Sequence, residues 1–573
     1  MRRQAVIRIR VFTGLVLFFA LILVGRLYQV QVLDAEKYKA KGEKQYVHTV
    51  EDLYDRGAIY FTTRDGERIA AATVASGYVL AVDPNNVKDA KDLYQKLDPY
   101  IDLDEETFLY RATLSDRTYV EIDATLSDEE AAAVEALNLS GVKLYKNRWR
   151  YYPGGTLAAR TIGFVGYSGE TDKEKQTGRY GLERYYDDTL SHDNERLSVN
   201  FFAEIFSNVG SMLFDSTPNR TGDIITTLEP TVSRMLQNEL QKINDKYESK
   251  LTGGVIINPK TGAIYAIDAV PTFDPNNRSG AKLEDFKNPL VENIHEMGSI
   301  IKPLTMAAGI DSKAVSPSTT YYDAGYLELS GFTIRNYDGK GRGTVPMQEV
   351  LNQSLNTGVA FVANAMGKDK FRQYFTNLKL GSETGVDLPG EIHGKIDNLN
   401  SPRELEYATA SFGQGIALTP IATVRALSAL GNGGKLITPH VVSSIEYEDG
   451  TVKEIRFPDG ESVWSEETSE TISRMLVGVV DDALGGGHIE LPHYTIAAKT
   501  GTAQIADPVN GGYYDDRFLH SFFGYFPAYD PQFLVFLYTV EPQGVRFASE
   551  TLTTPFMDIT KFLINYYSLV PDR

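Results

Sequence analysis

Strand-forming segments stand at both ends of the C-terminal half of the chain, and a region predicted to be helical, from about Lys302 to Leu430, separates them. Strands at the two ends of one domain bury their apolar faces when they join a single sheet. We therefore predict an α/β sandwich whose sheet is assembled from distant segments. The predicted strands are 254–258, 263–270, 494–498, 519–526 and 533–540, and a final helix over 552–567 covers one face.

Length and composition restrict the remaining possibilities. The chain has 573 residues, which at roughly 150 residues per domain predicts two to four domains. Its net charge of -19 argues against a nucleic-acid partner, because such a partner needs a basic face. The sequence contains no cysteine and no His-Glu-x-x-His motif, so we predict neither thiol chemistry, nor a metal, nor a cofactor.

The N-terminus has the pattern of a membrane anchor. Four arginines within residues 2–10 precede an uncharged apolar run, Val11 to Gly25, which continues to Val30 after a single arginine. This length approaches the roughly 20 residues of a membrane-spanning helix. A cleaved signal peptide is the alternative, but no small-x-small cleavage site follows the run. We predict a cytoplasmic tail over 1–10, a single transmembrane helix over 11–30, and an extracytoplasmic remainder.

Residues 34–250 read as a mixed α/β region without a recognisable chemical site. Asp65-Gly66 predicts a hairpin turn, and Ser127 begins a helix with a capping sequence. Residues 229–250 have the apolar spacing of a long amphipathic helix. We expect this helix to lead into a second domain.

The motif that could carry out catalysis is Ser299-Ile300-Ile301-Lys302. On a helix, residues three apart share one face, so the hydroxyl and the amine can meet. Pro303 fits the first turn, where a missing N–H is tolerated. A lysine acts as a base only if its pKa falls from about 10.4 towards 7, and burial or a nearby cation must lower it.

Two further short motifs supply a second serine and the cation that could lower the pKa of Lys302. Ser354-Leu355-Asn356 is predicted to lie on a loop, and Lys499-Thr500-Gly501-Thr502 follows the strand 494–498. Lys499 would be the cation at the strand end, and Gly501 would let a substrate backbone approach closely. A second Lys-Thr-Gly, at 260–262, links two strands upstream of the serine and is interpreted as a turn.

Ser-x-x-Lys, Ser-x-Asn and Lys-Thr-Gly in this order are the set found in β-lactamases and penicillin-binding proteins. The chain resembles the class B penicillin-binding proteins, which are monofunctional peptidoglycan D,D-transpeptidases, over essentially its whole length. The resemblance extends to segments that match family signatures in the same order: 56–59 with 65–66, 152–154, 181–183, 226–229, 413–416 and 419–420.

This resemblance implies a mixed α+β/α/β architecture. A single N-terminal transmembrane helix would precede an elongated α/β pedestal, the dimerisation-type domain, over 34–250. A penicillin-binding transpeptidase domain over 251–573 would have a central antiparallel sheet flanked by helices, together with an all-helical part.

The resemblance also implies catalytic roles. Ser299 would attack the D-Ala-D-Ala carbonyl of a stem peptide and form an acyl-enzyme, while Lys302 accepts its proton. Ser354 would relay a proton to the leaving amine, and Asn356 would hold the substrate amide and the Lys302 amine. Lys499 would supply a positive field.

The strand motif would bind substrate through Thr500, Gly501 and Thr502, with both threonines on the terminal carboxylate. The backbone N–H groups of Ser299 and Thr502 would form the oxyanion hole. The implied ligands are peptidoglycan stem peptides and, covalently at the same serine, β-lactam antibiotics. A membrane glycosyltransferase of the SEDS type is the implied partner, and a division-type role is favoured over elongation.

Two alternatives remain open from the sequence. A D,D-carboxypeptidase or β-lactamase-like hydrolase would use the same groups with water as the acceptor. A non-catalytic scaffold or β-lactam sensor would use the anchor and pedestal to recruit a partner. Transfer to an acceptor amine, or its absence, distinguishes these alternatives from a transpeptidase.

Overall fold

The computed structural model describes residue 19 and residues 55–101, 103–114, 117–167, 176–191, 221–458, 460–484 and 491–573. Within these residues no helix is both long enough and apolar enough to cross a bilayer. The anchor predicted over 11–30 lies outside the described residues, apart from residue 19.

The strands of the described residues fall into the N-terminal and C-terminal parts of the chain, with short pairs between them. They are β1 Ile59–Thr62, β2 Arg68–Val82, β3 Val120–Leu126, β4 Val142–Tyr151, β5 Val165–Tyr167, β6 Gln176–Gly178, β7 Gly222–Thr226, β8 Leu251–Ile257, β9 Ile264–Val270, β10 Thr320–Asp323, β11 Tyr326–Leu329, β12 Phe332–Arg335, β13 Gly343–Pro346, β14 Val442–Tyr447, β15 Val452–Glu454, β16 Ala497–Ala506, β17 Tyr513–Phe526 and β18 Phe533–Val540.

The α-helices of the described residues occur along the whole chain. They are α1 Ala90–Leu97, α2 Glu105–Ala112, α3 Asp128–Ala136, α4 Ala159–Ile162, α5 Gly181–Tyr185, α6 Asp187–Leu190, α7 Pro230–Tyr247, α8 Pro289–Glu292, α9 Lys302–Asp311, α10 Met347–Asn352, α11 Asn356–Met366, α12 Lys368–Asn377, α13 Glu404–Ala410, α14 Pro420–Ser428, α15 Glu466–Gly478, α16 Ala548–Thr551 and α17 Thr553–Tyr567. Seven of these described helices, α8 to α14, lie between β9 and β14.

One compact unit contains the described part of 1–55 together with 74–149. Its strands pair antiparallel, with Tyr78–Val82 of β2 against β3. Helices α1 and α2 supply apolar residues to its core, among them Leu97 and Phe108. The predicted capping of α3 is confirmed, since Ser127 and Glu130 exchange hydrogen bonds between side chain and backbone.

The other compact unit contains 56–73 and 150–573. Its main sheet has the order β16-β17-β18-β8-β9, and every neighbouring pair is antiparallel. The prediction of one sheet built from distant segments is confirmed. Strands β8 and β9 come from the start of the region, whereas β16 to β18 come from its end.

Helices cover both faces of this sheet. On one face, α7 and α17 bury apolar side chains such as Leu236 and Phe556 against it. The predicted amphipathic helix over 229–250 is therefore α7, which begins with a proline and is capped by Glu229. The domain boundary predicted near residue 250 would lie between α7 and β8, which belong to the same compact unit, and it stays a prediction. The other face packs against the helical region, including α9.

A second sheet in this unit joins β1 to β7 and β14. The predicted hairpin at Asp65-Gly66 is confirmed, because β1 pairs antiparallel with Arg68 to Ala72 of β2. Close by, the buried carboxylate of Glu183 accepts hydrogen bonds from Arg56 Nε at 2.7 Å and from Arg150 Nε at 2.6 Å. Buried guanidinium groups need such a partner.

The segment between α9 and α10 contains two small antiparallel pairs that the sequence pattern did not predict. Strand β10 pairs with β13, and β11 pairs with β12. We call residues 320–346 the wall insert, because β12 and the residues after it line one side of the groove described below.

Candidate active site

The predicted nucleophile lies at the start of a helix, as the sequence indicated. Gly298–Ile301 form a 3₁₀ turn that continues directly into α9. Gly298 has φ +65°, and a Cβ there would lie 3.0 Å from the carbonyl oxygen of Thr502. A glycine is therefore required immediately before Ser299, where the turn approaches β16 closely.

The amine of Lys302 is buried and points away from bulk water. Lys302 is only 1% exposed to solvent. Nζ donates to the backbone carbonyl and, at 3.1 Å, to Oγ of Ser354. Among the hydrogen bonds of the described residues, none joins Ser299 Oγ to Lys302 Nζ, so the direct contact predicted from their spacing is replaced here by contact with Ser354.

Burial sets the charge of the two lysines. Desolvation, together with the positive charge of Lys499, holds the pKa of Lys302 well below its ordinary value. Burial also lowers the pKa of Lys499, to about 8. The lowered pKa favours the neutral, proton-accepting form of Lys302, while Lys499, with a pKa of about 8, remains mainly charged at neutral pH. Lys499 is thus the nearby cation that was predicted to lower the pKa of Lys302.

Ser354 lies in the tight turn between α10 and α11 with φ +53°, a left-handed backbone that is uncommon for a serine. Asn356 follows as the first residue of α11. Its side-chain amide donates to the carbonyl oxygen of Arg335 at 2.8 Å. The predicted contact between Asn356 and the Lys302 amine is thus not part of this structure, since the amide is engaged by the wall insert instead.

Lys499 to Thr502 lie inside β16, and this corrects the prediction that the strand ends at Ala498. The strand runs from Ala497 to Ala506 because β17 begins early, at Tyr513, and pairs with its whole length. The polar sequence of the motif concealed this pairing. β16 is an edge strand of the sheet, so one side of its backbone faces away from β17.

The requirement for glycine at 501 arises within the fold. A Cβ there would contact Ser521 Oγ and would lie 2.8 Å from the carbonyl oxygen of Met297. Ser521 Oγ also donates to that carbonyl at 2.8 Å. Gly501 therefore lets the turn that carries Ser299 pack against β16, and its role in admitting a substrate backbone stays a prediction.

A groove of about 1140 Å³ opens over these elements. Ser299 lies on it, and residues of the two other motifs also line it. The predicted site residues that line it are Ser299, Ser354, Asn356, Lys499, Thr500 and Thr502. Lys302 and Gly501 do not line it and lie behind these residues.

Family models of two domains match the chain. A model of the penicillin-binding protein transpeptidase domain matches residues 252–561, and a model of the penicillin-binding protein dimerisation domain matches residues 54–201. The first match covers more than half of the chain. The chain belongs to the penicillin-binding protein transpeptidase family.

Relatives support this assignment along the whole length. Stage V sporulation protein D of Bacillus subtilis is 30% identical over 95% of this chain and 83% of its own. A peptidoglycan D,D-transpeptidase FtsI homolog of Mesostigma viride is 27% identical over 97% and 95%. The crystal structure of penicillin-binding protein 3 from Mycobacterium tuberculosis complexed with aztreonam has a TM-score of 0.67 at 21% identity, covering 91% of this chain and 98% of that one.

The groove of this penicillin-binding protein also has aromatic and basic residues that sequence reasoning missed. Tyr337 of the wall insert and Phe547, the residue before α16, have ring centroids 5.9 Å apart and nearly perpendicular planes. Arg335 and Arg546 line the same groove. No local pattern marks these residues, because only the packing of distant segments brings them to one cleft.

The second Lys-Thr-Gly of the penicillin-binding protein is a turn, as interpreted. Residues 260–262 connect β8 to β9, and Gly262 has φ +86°. Lys260 forms an exposed ion pair with Asp530. These residues do not line the catalytic groove.

Proposed function

We propose that this penicillin-binding protein is a serine-type peptidoglycan D,D-transpeptidase with Ser299 as its nucleophile. The observation that carries the proposal is the pair of buried lysines beside a serine that opens onto a large groove. Burial, and after it the charge of Lys499, lowers the pKa of Lys302 as a base requires. Serine acyl transfer needs these two properties together.

Acylation begins when Ser299 Oγ attacks the carbonyl carbon between the two terminal D-alanines. Lys302 accepts the serine proton, either directly or through the hydroxyl of Ser354, whose Oγ lies 3.1 Å from its amine. The C–N bond then breaks, the terminal D-alanine leaves with a proton, and Ser299 carries the acyl group. An amine of a second stem peptide attacks this ester, forms the new amide and releases the serine.

Charge stabilisation comes from the strand and the turn. The ammonium of Lys499 and the side chains of Thr500 and Thr502 bind the terminal carboxylate of the donor peptide. The backbone N–H groups of Ser299 and Thr502 stabilise the oxyanion. The close packing of Gly298 against the Thr502 carbonyl supports this assignment, since it brings the turn and the strand together.

The same serine reacts with β-lactams, in which the strained amide takes the place of the D-Ala-D-Ala bond. A relative of the same fold has been solved in complex with aztreonam. A β-lactam has no leaving group that diffuses away, so its acyl-enzyme persists.

The test combines penicillin labelling with product analysis. Wild-type protein should form a covalent adduct with a fluorescent penicillin at Ser299 and, given a stem-peptide donor and an acceptor amine, a transfer product. Ser299→Ala and Lys302→Ala should each abolish the adduct without unfolding the protein. Lys260→Ala is the matched control, because it removes the lysine of the other Lys-Thr-Gly, and it should label normally.

Other outcomes identify the alternatives. Hydrolysis of the donor with no transfer product would assign the protein as a carboxypeptidase or β-lactamase-like hydrolase. Labelling without any turnover would favour a sensor. A labelled Lys302→Ala variant would refute the role of that lysine.

We also propose that the protein is a single-pass component of a bacterial cell membrane, with its N-terminus in the cytoplasm and the catalytic unit outside. The apolar run over 11–25, with arginines ahead of it, supports this orientation. Protection of an N-terminal tag from external protease, with digestion of the catalytic unit, is the expected result.

A SEDS-type glycosyltransferase is the proposed partner, contacted through the anchor and the pedestal, and a division-type role is proposed. Co-purification from detergent extracts of intact cells tests the first. Localisation of a tagged copy at the septum rather than the sidewall tests the second.

A further inference from the structure

A buried hydrogen-bond network joins the wall insert to the turn that carries Ser354. At its centre is Asp323, which is 1% exposed. Its carboxylate accepts hydrogen bonds from Asn336 Nδ2, at 3.0 Å to each oxygen, from Thr357 Oγ1 at 2.8 Å, and from two backbone N–H groups. We call Asp323, Asn336 and Thr357 the Asp323 network. A buried carboxylate with this many donors is firmly held.

The network fixes the C-terminal side of the turn. Thr357 is the residue after Asn356, and its backbone N–H donates to Asn336 Oδ1 at 3.3 Å. The hydroxyl of Tyr321 lies 3.2 Å from Thr357 Oγ1. The first turn of α11 is therefore fastened to the wall insert through both the backbone and the side chain of one threonine.

The N-terminal side of the turn is fixed by the same insert. Gln353, the residue before Ser354, accepts a hydrogen bond from Arg342 Nε at 2.8 Å. Arg342 is itself oriented by two hydrogen bonds to Asp338, both 2.8 Å long. Such a paired guanidinium–carboxylate contact restricts the arginine to one orientation.

The turn needs this support because of its backbone. Ser354 has φ +53°. This left-handed conformation is unfavourable for any residue that has a side chain, and it persists only where the surrounding structure imposes it. In that conformation both the carbonyl oxygen and Oγ of Ser354 accept from Lys302 Nζ. A relaxed turn would withdraw both acceptors from the buried amine.

We propose that Asp323, Asn336 and Thr357 are positioning residues for acyl transfer, which act by holding Ser354 in contact with the Lys302 amine. None of the three reacts with substrate. The inference rests on the proposed roles of Ser299 and Lys302, and it assigns a catalytic purpose to a part of the chain outside the three motifs.

The test uses two variants at one position. Thr357→Val keeps the volume but removes the hydroxyl, whereas Thr357→Ser keeps the hydroxyl. Asp387→Asn is a matched control for stability: Asp387 is also buried and accepts two backbone N–H groups, but it lies outside the groove. The second-order rate constant of acylation by a fluorescent penicillin is measured on the full chain between pH 5.5 and 9.5, together with the melting temperature.

Thr357→Val should slow acylation by about tenfold or more and move the acid limb of the pH profile by about half a unit or more, because the surroundings of Lys302 change. Asp323→Asn should have the same effects. Thr357→Ser should acylate within about threefold of the wild type with an unmoved acid limb. Asp387→Asn should lower the melting temperature while the folded protein acylates normally.

Several results would overturn the assignment. An unmoved acid limb in both Thr357→Val and Asp323→Asn would mean that the network is only structural. Equal rates in Thr357→Val and Thr357→Ser would overturn it as well. Mapping the adduct separates this failure from that of the proposed function: an adduct away from Ser299 in the wild type overturns both, whereas an adduct at Ser299 with equal rates overturns only the network.

Discussion

Replacing Gly501 by alanine should separate the geometry of the nucleophile from the stability of the fold. The new Cβ would lie 2.8 Å from the Met297 carbonyl oxygen, whereas ordinary contact begins near 3.4 Å. The turn that carries Ser299 must therefore move away by about 0.6 Å. Overpacking of this kind costs about 1–3 kcal/mol. If Ser521 rotates to make room, its hydrogen bond to Met297 is lost at a further cost of about 1 kcal/mol.

Acylation should suffer more than folding. A displacement of about 1 Å can reduce a rate by about 100-fold, so a shift of about 0.6 Å predicts a loss of roughly tenfold to thirtyfold. The assay is the second-order rate of labelling by a fluorescent penicillin, measured beside the free energy of unfolding from denaturant titration.

Gly254→Ala is the matched control for this experiment. Gly254 lies in the same sheet, on β8, and a Cβ there would lie 2.8 Å from a Leu537 methyl carbon and 3.0 Å from a Leu236 methyl carbon, away from the groove. It should lose about 1–3 kcal/mol of stability but label at the wild-type rate. The reasoning is refuted if Gly501→Ala labels as fast as the wild type, or if both variants slow equally.

Three further predictions follow from charge and burial. The acylation rate should rise with pH as Lys302 loses its proton and fall again near pH 8, where Lys499 becomes neutral. A rate still rising at pH 9.5 would contradict the prediction that Lys302 loses its proton before Lys499 does. Glu183→Ala should lower the free energy of unfolding by about 3–5 kcal/mol, because it removes the buried carboxylate that both Arg56 and Arg150 contact, while Arg56 keeps its ion pair with Asp187; a loss below about 1 kcal/mol in denaturant titration would contradict it. Burial raises the pKa of Asp268 to about 6, above its value in the unfolded chain. The protonated carboxyl therefore favours folding at low pH, and this contribution, about 3 kcal/mol, is lost as the pH rises from about 4 to 6. Asp268→Asn should flatten the dependence of unfolding free energy on pH in that range, and an unchanged slope would argue against the raised pKa.

The sequence by itself determined the helices and strands whose apolar residues recur with the period of a helix or of a strand. The amphipathic helix after Glu229, the capped helix after Ser127 and the strands β9 and β18 could be predicted because apolar spacing and caps are local properties. Ser299 could likewise be placed in a first turn, since Gly298 and Pro303 restrict the backbone there. The order of three short motifs was enough to suggest the family.

Only the tertiary structure decided how those motifs contact one another. The polar sequence Lys499 to Thr502 gave no sign that it lies inside a strand, because its pairing partner β17 lies beyond a turn. The position of the Lys302 amine against Ser354, rather than against Ser299, depends on a turn held by hydrogen bonds between residues 11, 21 and 34 positions apart in the chain. Hydrogen bonds such as those of Asp323 join segments that are distant in sequence, and no local spacing encodes such contacts.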